Sequence, residues 1–292
     1  MTGASDTTIE ALLGRCTFPE PGTRVVCAVS GGSDSIALMV LAHAHGLKVR
    51  VVHVDHGLRA TSHRDIDTVR AVAGPLGIPV ESHRLALSDG PNLEARAREA
   101  RRAVLPEGAM TGHTADDQAE TVLINLMRGA ASTGLSAMTP GHSRPILPLR
   151  RSETRALCDV LGIVPVEDET NVDPRFQRNR VRHELVALLA DISRRDPVPI
   201  LVRTADVLRD DDALLEELSL AIDPTDALVL AAAPLPLARR AIRRWLSDPY
   251  PPDVATIDRV LEVARGGAIA CEIGENRRIH RSKQKLSLTI VE

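Results

Sequence analysis

Val25-Val26-Cys27-Ala28-Val29 runs without a break into Ser30-Gly31-Gly32-Ser33-Asp34-Ser35, and the reading of this stretch decides the fold. An unbroken apolar, β-branched run is a strand buried on both faces, Gly-Gly is a turn, and Ile36 to Ala44 continues as a helix. Two glycines let successive backbone N–H groups curl around an anion, and the helix that follows points its positive end at the same spot. Such a loop can cradle phosphate. The hydroxyls of Ser30, Ser33 and Ser35 can donate to phosphate oxygens, and Asp34 can hold a Mg²⁺ that neutralises them. A bare Gly-Gly turn is equally an N-capped strand-to-helix turn; the whole hexapeptide, in this strand–turn–helix setting, favours phosphate. No lysine follows the glycines, so the loop is not a Walker A loop.

Working outward, strand–helix units repeat. Strands are predicted at 49–54, 80–85 and 109–111, and helices at 63–76, 93–104, 115–127, 153–161 and 179–189, with Asn92 a plausible N-cap and Gly162 a C-cap. This alternation is the pattern of a doubly wound parallel sheet. The stretch Asp191-Ile-Ser-Arg-Arg-Asp-Pro197 marks a domain boundary near 195. Beyond it, helices are predicted at 200–220, 236–246 and 254–264, followed by alternating segments that read as a small antiparallel sheet. The predicted organisation is therefore an α/β domain over 1–195 and a smaller, mainly helical domain over 196–292 that ends in that sheet.

The composition sets limits on function. The chain has 292 residues, 43% hydrophobic and 26% charged, which excludes disorder for the bulk. No apolar run is long enough to span a bilayer and the first ten residues do not resemble a signal peptide, so no membrane association and a cytoplasmic location are expected. Cys16, Cys27, Cys158 and Cys271 lack C-x-x-C spacing, which argues against a zinc site, a cluster or a redox pair. The net charge is −3 and there are only four aromatic residues, Phe18, Phe176, Trp245 and Tyr250, so neither usual sign of a nucleic-acid binder is present. Net charge hides segregation, however. Arginine-rich stretches recur at 98–102, 175–182, 239–244 and 277–285, and each can meet phosphate or remain a solvated face.

Two further strings follow predicted strands, where a doubly wound sheet presents ligand-binding loops. One is His53-Val54-Asp55-His56-Gly57-Leu58-Arg59. The other, Gly112-His113-Thr114-Ala115-Asp116-Asp117-Gln118-Ala119-Glu120-Thr121, opens a helix and sets Asp117 and Glu120 on one face. That spacing alone leaves open Mg²⁺ coordination, capture of an ammonium group, and simple complementation of the helix dipole.

The loop Ser30–Ser35 resembles that of the PP-loop ATP pyrophosphatases, which cleave ATP between the α and β phosphates. The later strings resemble the signatures of one branch, the tRNA(Ile)-lysidine synthetases. Matching elements are the His53 and Gly112 strings, Asn92-Leu93-Glu94, Ala97-Arg98-Glu99-Ala100-Arg101, Asp168-Glu169-Thr170-Asn171-x-Asp173 and Arg178-Asn179-x-x-Arg182. Thr114 stands where many relatives have a second histidine, and Arg102 where an aromatic is usual.

The resemblance implies an adenine-nucleotide α-hydrolase-like, Rossmann-like catalytic domain over 1–195 and a tRNA-binding domain over 196–292, in the short form of the family. It implies a ligase that joins L-lysine to C2 of the wobble cytidine of tRNA(Ile) bearing the CAU anticodon. The route is an adenylated cytidine, ATP gives AMP and pyrophosphate, and decoding changes from AUG to AUA. ATP and Mg²⁺ are the implied cofactors. The implied catalytic residues are Asp34, Arg98, His113, Asp117 and Glu120. Ser30, Gly31, Gly32, Ser33, Asp34, Ser35, His53 and Asp55 are implied to bind nucleotide, and Asp34 and Asp117 to bind metal. Asp117 is the first choice for binding and deprotonating lysine and Glu120 the second; His113 is assigned to orientation or proton transfer and Arg98 to phosphate or the lysine carboxylate. The alternatives are a PP-loop tRNA thiolase, against which the missing cysteine pairs count, and a catalytically inactive nucleotide- or RNA-binding module. The oligomeric state is left open.

Overall fold

A computed structural model of the chain describes residues 3–55, 65–85, 96, 99–100, 103–166 and 173–290. The Val25–Val29 run forms the centre of a four-stranded parallel sheet of order β3-β2-β1-β4, with β1 at Arg24–Ala28, β2 at Lys48–Asp55, β3 at Val80–Arg84 and β4 at Met110–Thr111. The chain moves from β1 to β2 to β3 and then returns to the other side of β1. The strand order therefore reverses between β1 and β4, and the loops leaving these two strands meet at the carboxyl edge of the sheet, where doubly wound sheets bind ligands. The phosphate-type loop and the Gly112 string are those two loops.

Helix α1 (Gly3–Leu13) precedes the sheet and was not predicted from sequence. Helix α2 (Ser33–Ala44) is apolar all round, and its residues from Ser35 to Ala42 are all buried. A helix buried along most of its length anchors the loop that opens it to the core. After α3 (Asp65–Ala73) come α4 (Ala115–Met127), α5 (Ser132–Leu135) and α6 (Arg151–Val160). Leu157 and Cys158 of α6 join Ile36, Leu38, Met39, Leu41, Cys27 and Val51 in the main core. Next, α7 (Gln177–Arg180), a π-turn (Val181–Leu185) and α8 (Val186–Ser193) follow one another directly. The 93–104 prediction falls mostly outside the described residues, as does the start of the 63–76 helix.

Two compact units are formed, 1–206 and 207–292. The division lies inside α9 (Pro197–Ser219), whose first residue is the proline that the sequence marks as a breaker. Proline is accepted at a helix start because the N–H it lacks would have no partner there. The second unit continues through α10 (Ala227–Ala232), α11 (Leu235–Trp245) and α12 (Val254–Arg265) to an antiparallel sheet of β5 (Ala270–Glu272), β6 (Arg277–Ser282) and β7 (Lys285–Ile290). Its core is Ile242, Leu246, Ile257, Val260, Leu261, Ile279 and Leu286.

The arginine run at 239–244 divides by helical position. Arg240 and Arg244 lie on one face and pair with Asp212 at 2.6 Å and Glu216 at 3.2 Å, and Arg239 pairs with Asp258 at 2.9 Å. Arg243 is exposed. In the hairpin, Arg281 donates to the carbonyl of Ala264 at the end of α12, at 2.8 Å, and Lys285 pairs with Asp223 at 3.2 Å.

Candidate active site

Gly31 adopts φ +100, a left-handed conformation that favours glycine, and a Cβ there would lie 2.9 Å from Val166 Cγ2. The N–H of Val166 donates to the Gly31 carbonyl at 3.0 Å, which pins the loop from outside. From inside it is pinned by Ser35. The Ser35 hydroxyl oxygen accepts from the N–H groups of Ser30 and Gly31, both at 3.2 Å, and donates to the Gly32 carbonyl at 2.9 Å. Ser35 therefore shapes the loop, whereas Gly32, Ser33 and Asp34 are partly open to solvent and Ser30 is exposed. Ser35→Ala is expected to lower stability by about 1–3 kcal/mol, because two loop N–H groups lose their acceptor. It should also raise the KM for ATP; equal melting temperature and KM would contradict this role.

Gly112, at the end of β4, approaches the same loop. A Cβ on it would lie 2.8 Å from the Asp34 carbonyl oxygen and 2.9 Å from the Ser35 nitrogen. Both atoms are backbone, so the clash is relieved only by moving the backbone of the loop or of Gly112 itself. Gly112→Ala is expected to displace the loop, costing about 1–3 kcal/mol of stability as overpacking does, with a larger loss in ATP affinity than in melting temperature. Unchanged nucleotide binding would contradict it.

From the neighbouring strand, His53 is 2% exposed and its Nδ1 donates to the carbonyl of Val29, 2.8 Å away, just before the loop. Asp55 ends the strand, is 7% exposed and has Arg84 Nε at 3.8 Å. His113 Nδ1 lies 2.8 Å from the hydroxyl of Thr111. Thr114 caps α4, and both its N–H (2.9 Å) and its hydroxyl (3.1 Å) donate to Asp117 Oδ2. Thr114 thus fixes the rotamer of the Asp117 carboxylate. Arg98 lies outside the described residues, as do His56 to Arg59, Asn92 to Glu94, Ala97, Arg101, Arg102 and Asp168 to Asn171.

The sequence reading did not include Arg151. Asp34, Asp117 and Glu120 converge on its guanidinium, with Nε 3.4 Å from Asp34 Oδ2, Nη2 2.9 Å from Asp117 Oδ1 and Nη1 3.2 Å from Glu120 Oε1. Arg178 and Arg182 close the group from the α7 and π-turn side, at 2.8 and 2.7 Å from Glu120. Thr154, one turn along α6, donates to Asp34 Oδ1. A signal for Arg151 was present. An arginine pair at the start of a helix sits at the positive end of the macrodipole, and such a placement calls for an anionic partner.

Protonation divides the carboxylates. Burial, with a contribution from Asp117, pushes Asp34 up from its ordinary value, and the contacts from Thr154 and Arg151 only partly oppose this. Burial acts on Asp117 in the same direction, but Arg151, Arg178 and the Thr114 N–H together outweigh it and hold Asp117 below the ordinary value. The carboxylates also hold the Arg151 guanidinium firmly protonated against burial. Among the described residues no three His, Cys, Asp or Glu side chains form a ready-made metal centre. Mg²⁺ needs only one or two carboxylates when phosphates and water supply the rest; Asp34, 22% exposed at its side chain against 11% for Asp117, is the more open of the two, although both already accept from neighbouring side chains.

Comparison with known proteins places these features in context. A family of PP-loop domains matches residues 5–189. The tRNA(Ile)-lysidine synthase of Nocardia farcinica is 40% identical over 278 residues, covering 87% of this chain and 86% of that protein. The enzyme of the same name from Symbiobacterium thermophilum is 36% identical and covers 84% of this chain and 60% of its own length. Among solved structures, a U34-tRNA thiolase from Methanococcus maripaludis superposes with a TM-score of 0.54 at 18% identity, over 70% of this chain and 78% of that one, which shows a shared fold.

Proposed function

The chain belongs to the PP-loop family and, within it, to the tRNA(Ile)-lysidine synthases, and from that premise we propose that it joins the ε-amine of L-lysine to C2 of the wobble cytidine of a CAU-anticodon tRNA(Ile), using ATP. The observation that carries this reading is the convergence of Asp34, Asp117 and Glu120 beside the loop Ser30–Ser35. One end of the site offers backbone N–H groups and hydroxyls for phosphate, and the other offers carboxylates for an ammonium group.

In the first step the cytosine O2 bonds to the α-phosphorus of ATP and the bond to the bridging oxygen breaks, releasing pyrophosphate. The loop and the α2 N-terminus face the charge that develops on the departing phosphates. Mg²⁺ would be held by Asp34 together with phosphate oxygens, and when bound it would neutralise the leaving group. In the second step the lysine ε-nitrogen bonds to C2 and AMP departs with O2. The amine must first lose a proton, and Asp117, held ionised by its arginines, is the acceptor assigned, with Glu120 beside it. His113 stands before the same helix and orients or shuttles a proton.

The second unit is proposed to hold the tRNA body through phosphate contacts. Exposed Arg243, Arg265, Arg278 and Lys283 support this, as does Tyr250, 74% exposed in a chain with few rings. No described helix is long and apolar enough to cross a membrane. The test is incubation with labelled lysine and a CAU-anticodon tRNA(Ile) transcript. Label is expected in RNA only when ATP is present, with AMP and pyrophosphate formed; nucleotide cleavage without lysine in RNA would contradict the reading.

A further inference from the structure

Arg151 occupies the place where a substrate ammonium would have to sit. Its one guanidinium reaches Asp34, Asp117 and Glu120 at 3.4, 2.9 and 3.2 Å, and its side chain is 26% exposed. With Arg178 and Arg182 the group holds three cations against three carboxylates, so its formal charge cancels. An ammonium entering this cluster finds no free carboxylate and must displace a guanidinium, which would be left partly buried and unpaired. A polyphosphate alters that balance. Seated on the loop Ser30–Ser35 it lies next to Asp34, which Arg151 Nε already touches, and a guanidinium pairs with phosphate oxygens through two parallel hydrogen bonds. Arg151 is also the first residue of α6, where the helix dipole favours an anion, so phosphate arriving there is welcome and the cation is held only by its carboxylates.

We propose that Arg151 is a positioning residue that fills the amino-acid site as an internal cation until the phosphates of ATP draw its guanidinium away, so that lysine binds after the nucleotide. The inference rests on lysine being the substrate. It couples two adjacent subsites through one side chain, and the coupling is reciprocal: lysine tightens nucleotide binding by the same factor.

Calorimetric titration of the full chain with L-lysine tests this, with and without Mg²⁺ and an ATP analogue that cannot be cleaved between the α and β phosphates. Wild type is expected to bind lysine at least roughly tenfold more tightly with the analogue, within the usual range of such couplings. Arg151→Gln is expected to bring that ratio close to one by strengthening lysine binding in the absence of nucleotide. Equal lysine affinity with and without analogue in wild type overturns the proposal, as does a ratio in R151Q equal to that of wild type. Should R151Q show no cooperative thermal transition, Arg151→Lys decides: a point charge cannot bridge three carboxylates, so a reduced ratio is expected and an undiminished one overturns the role. Lysine transfer to tRNA without the affinity ratio removes this inference alone; no transfer at all removes the substrate reading and this inference with it.

Discussion

Asp34→Asn is expected to lower ATP-dependent lysine transfer roughly 1,000-fold, equivalent to about 4 kcal/mol of transition-state stabilisation, while leaving the fold intact. Both halves come from the same surroundings. Burial disfavours the Asp34 charge, so its carboxyl titrates above the ordinary value, and a neutral isostere removes a group the folded chain accommodates at a cost. The Thr154 hydroxyl keeps an acceptor in the asparagine, and Arg151 keeps Asp117 and Glu120. Because the folded state holds the Asp34 proton more tightly than the unfolded chain, wild type loses stability relative to D34N as pH rises from the ordinary carboxylate range through the folded pKa. Pyrophosphate release and melting curves across that range check the prediction together. Activity loss matched by a collapse in melting temperature would mean that Asp34 only supports structure.

Asp117→Asn is expected to affect the other step and to carry the opposite stability signature. Lysine transfer should fall by roughly 100-fold or more, the range of a lost general base, while pyrophosphate release in a single turnover continues. Removing the charge leaves Arg151 and Arg178 short of a partner in a buried setting, which costs about 3–5 kcal/mol. Here the folded pKa lies below the ordinary value, so the carboxylate stabilises the fold above the ordinary carboxylate range and loses that effect as pH falls through the folded pKa. The gap in stability between wild type and D117N should therefore narrow on acidification. A gap that widens, or equal loss of both chemical steps, would contradict the division of labour between the two aspartates.

Much of this was legible from local pattern. The strand–glycine–helix transition at 25–44 is found as expected in kind, but the helix begins at Ser33 rather than Ile36, because Ser33, Asp34 and Ser35 form its first turn and not the end of the loop. The prediction of 115–127 for the carboxylate-bearing helix matches the observed span, since Thr114 and Gly129 punctuate it at both ends. Helix α1 lacked such punctuation. What the sequence could not show was pairing at long range. Arg178 and Arg182 are visible as neighbours one turn apart, but their partner Glu120 lies some sixty residues earlier in the chain. Arg151 was visible only as one of an arginine pair at a helix start, and local spacing does not name its partners, Asp34, Asp117 and Glu120, which lie far earlier in the chain. The arginines at 239–244 misled in the other direction. Read in a line they form a cationic patch, whereas helical geometry turns two of them onto the acids of α9 and a third onto α12.

The carboxylates around Arg151 are proposed to serve lysine transfer to a wobble cytidine. The most direct measurement is the mass spectrum of nucleosides from a CAU-anticodon tRNA(Ile) transcript after incubation with enzyme, ATP, Mg²⁺ and lysine. One cytidine, at the wobble position, is expected to be heavier by one lysine less one water, and no such product is expected with D117N on the same timescale. An unmodified wobble cytidine despite ATP cleavage, or the full product from D117N at the wild-type rate, would contradict that role.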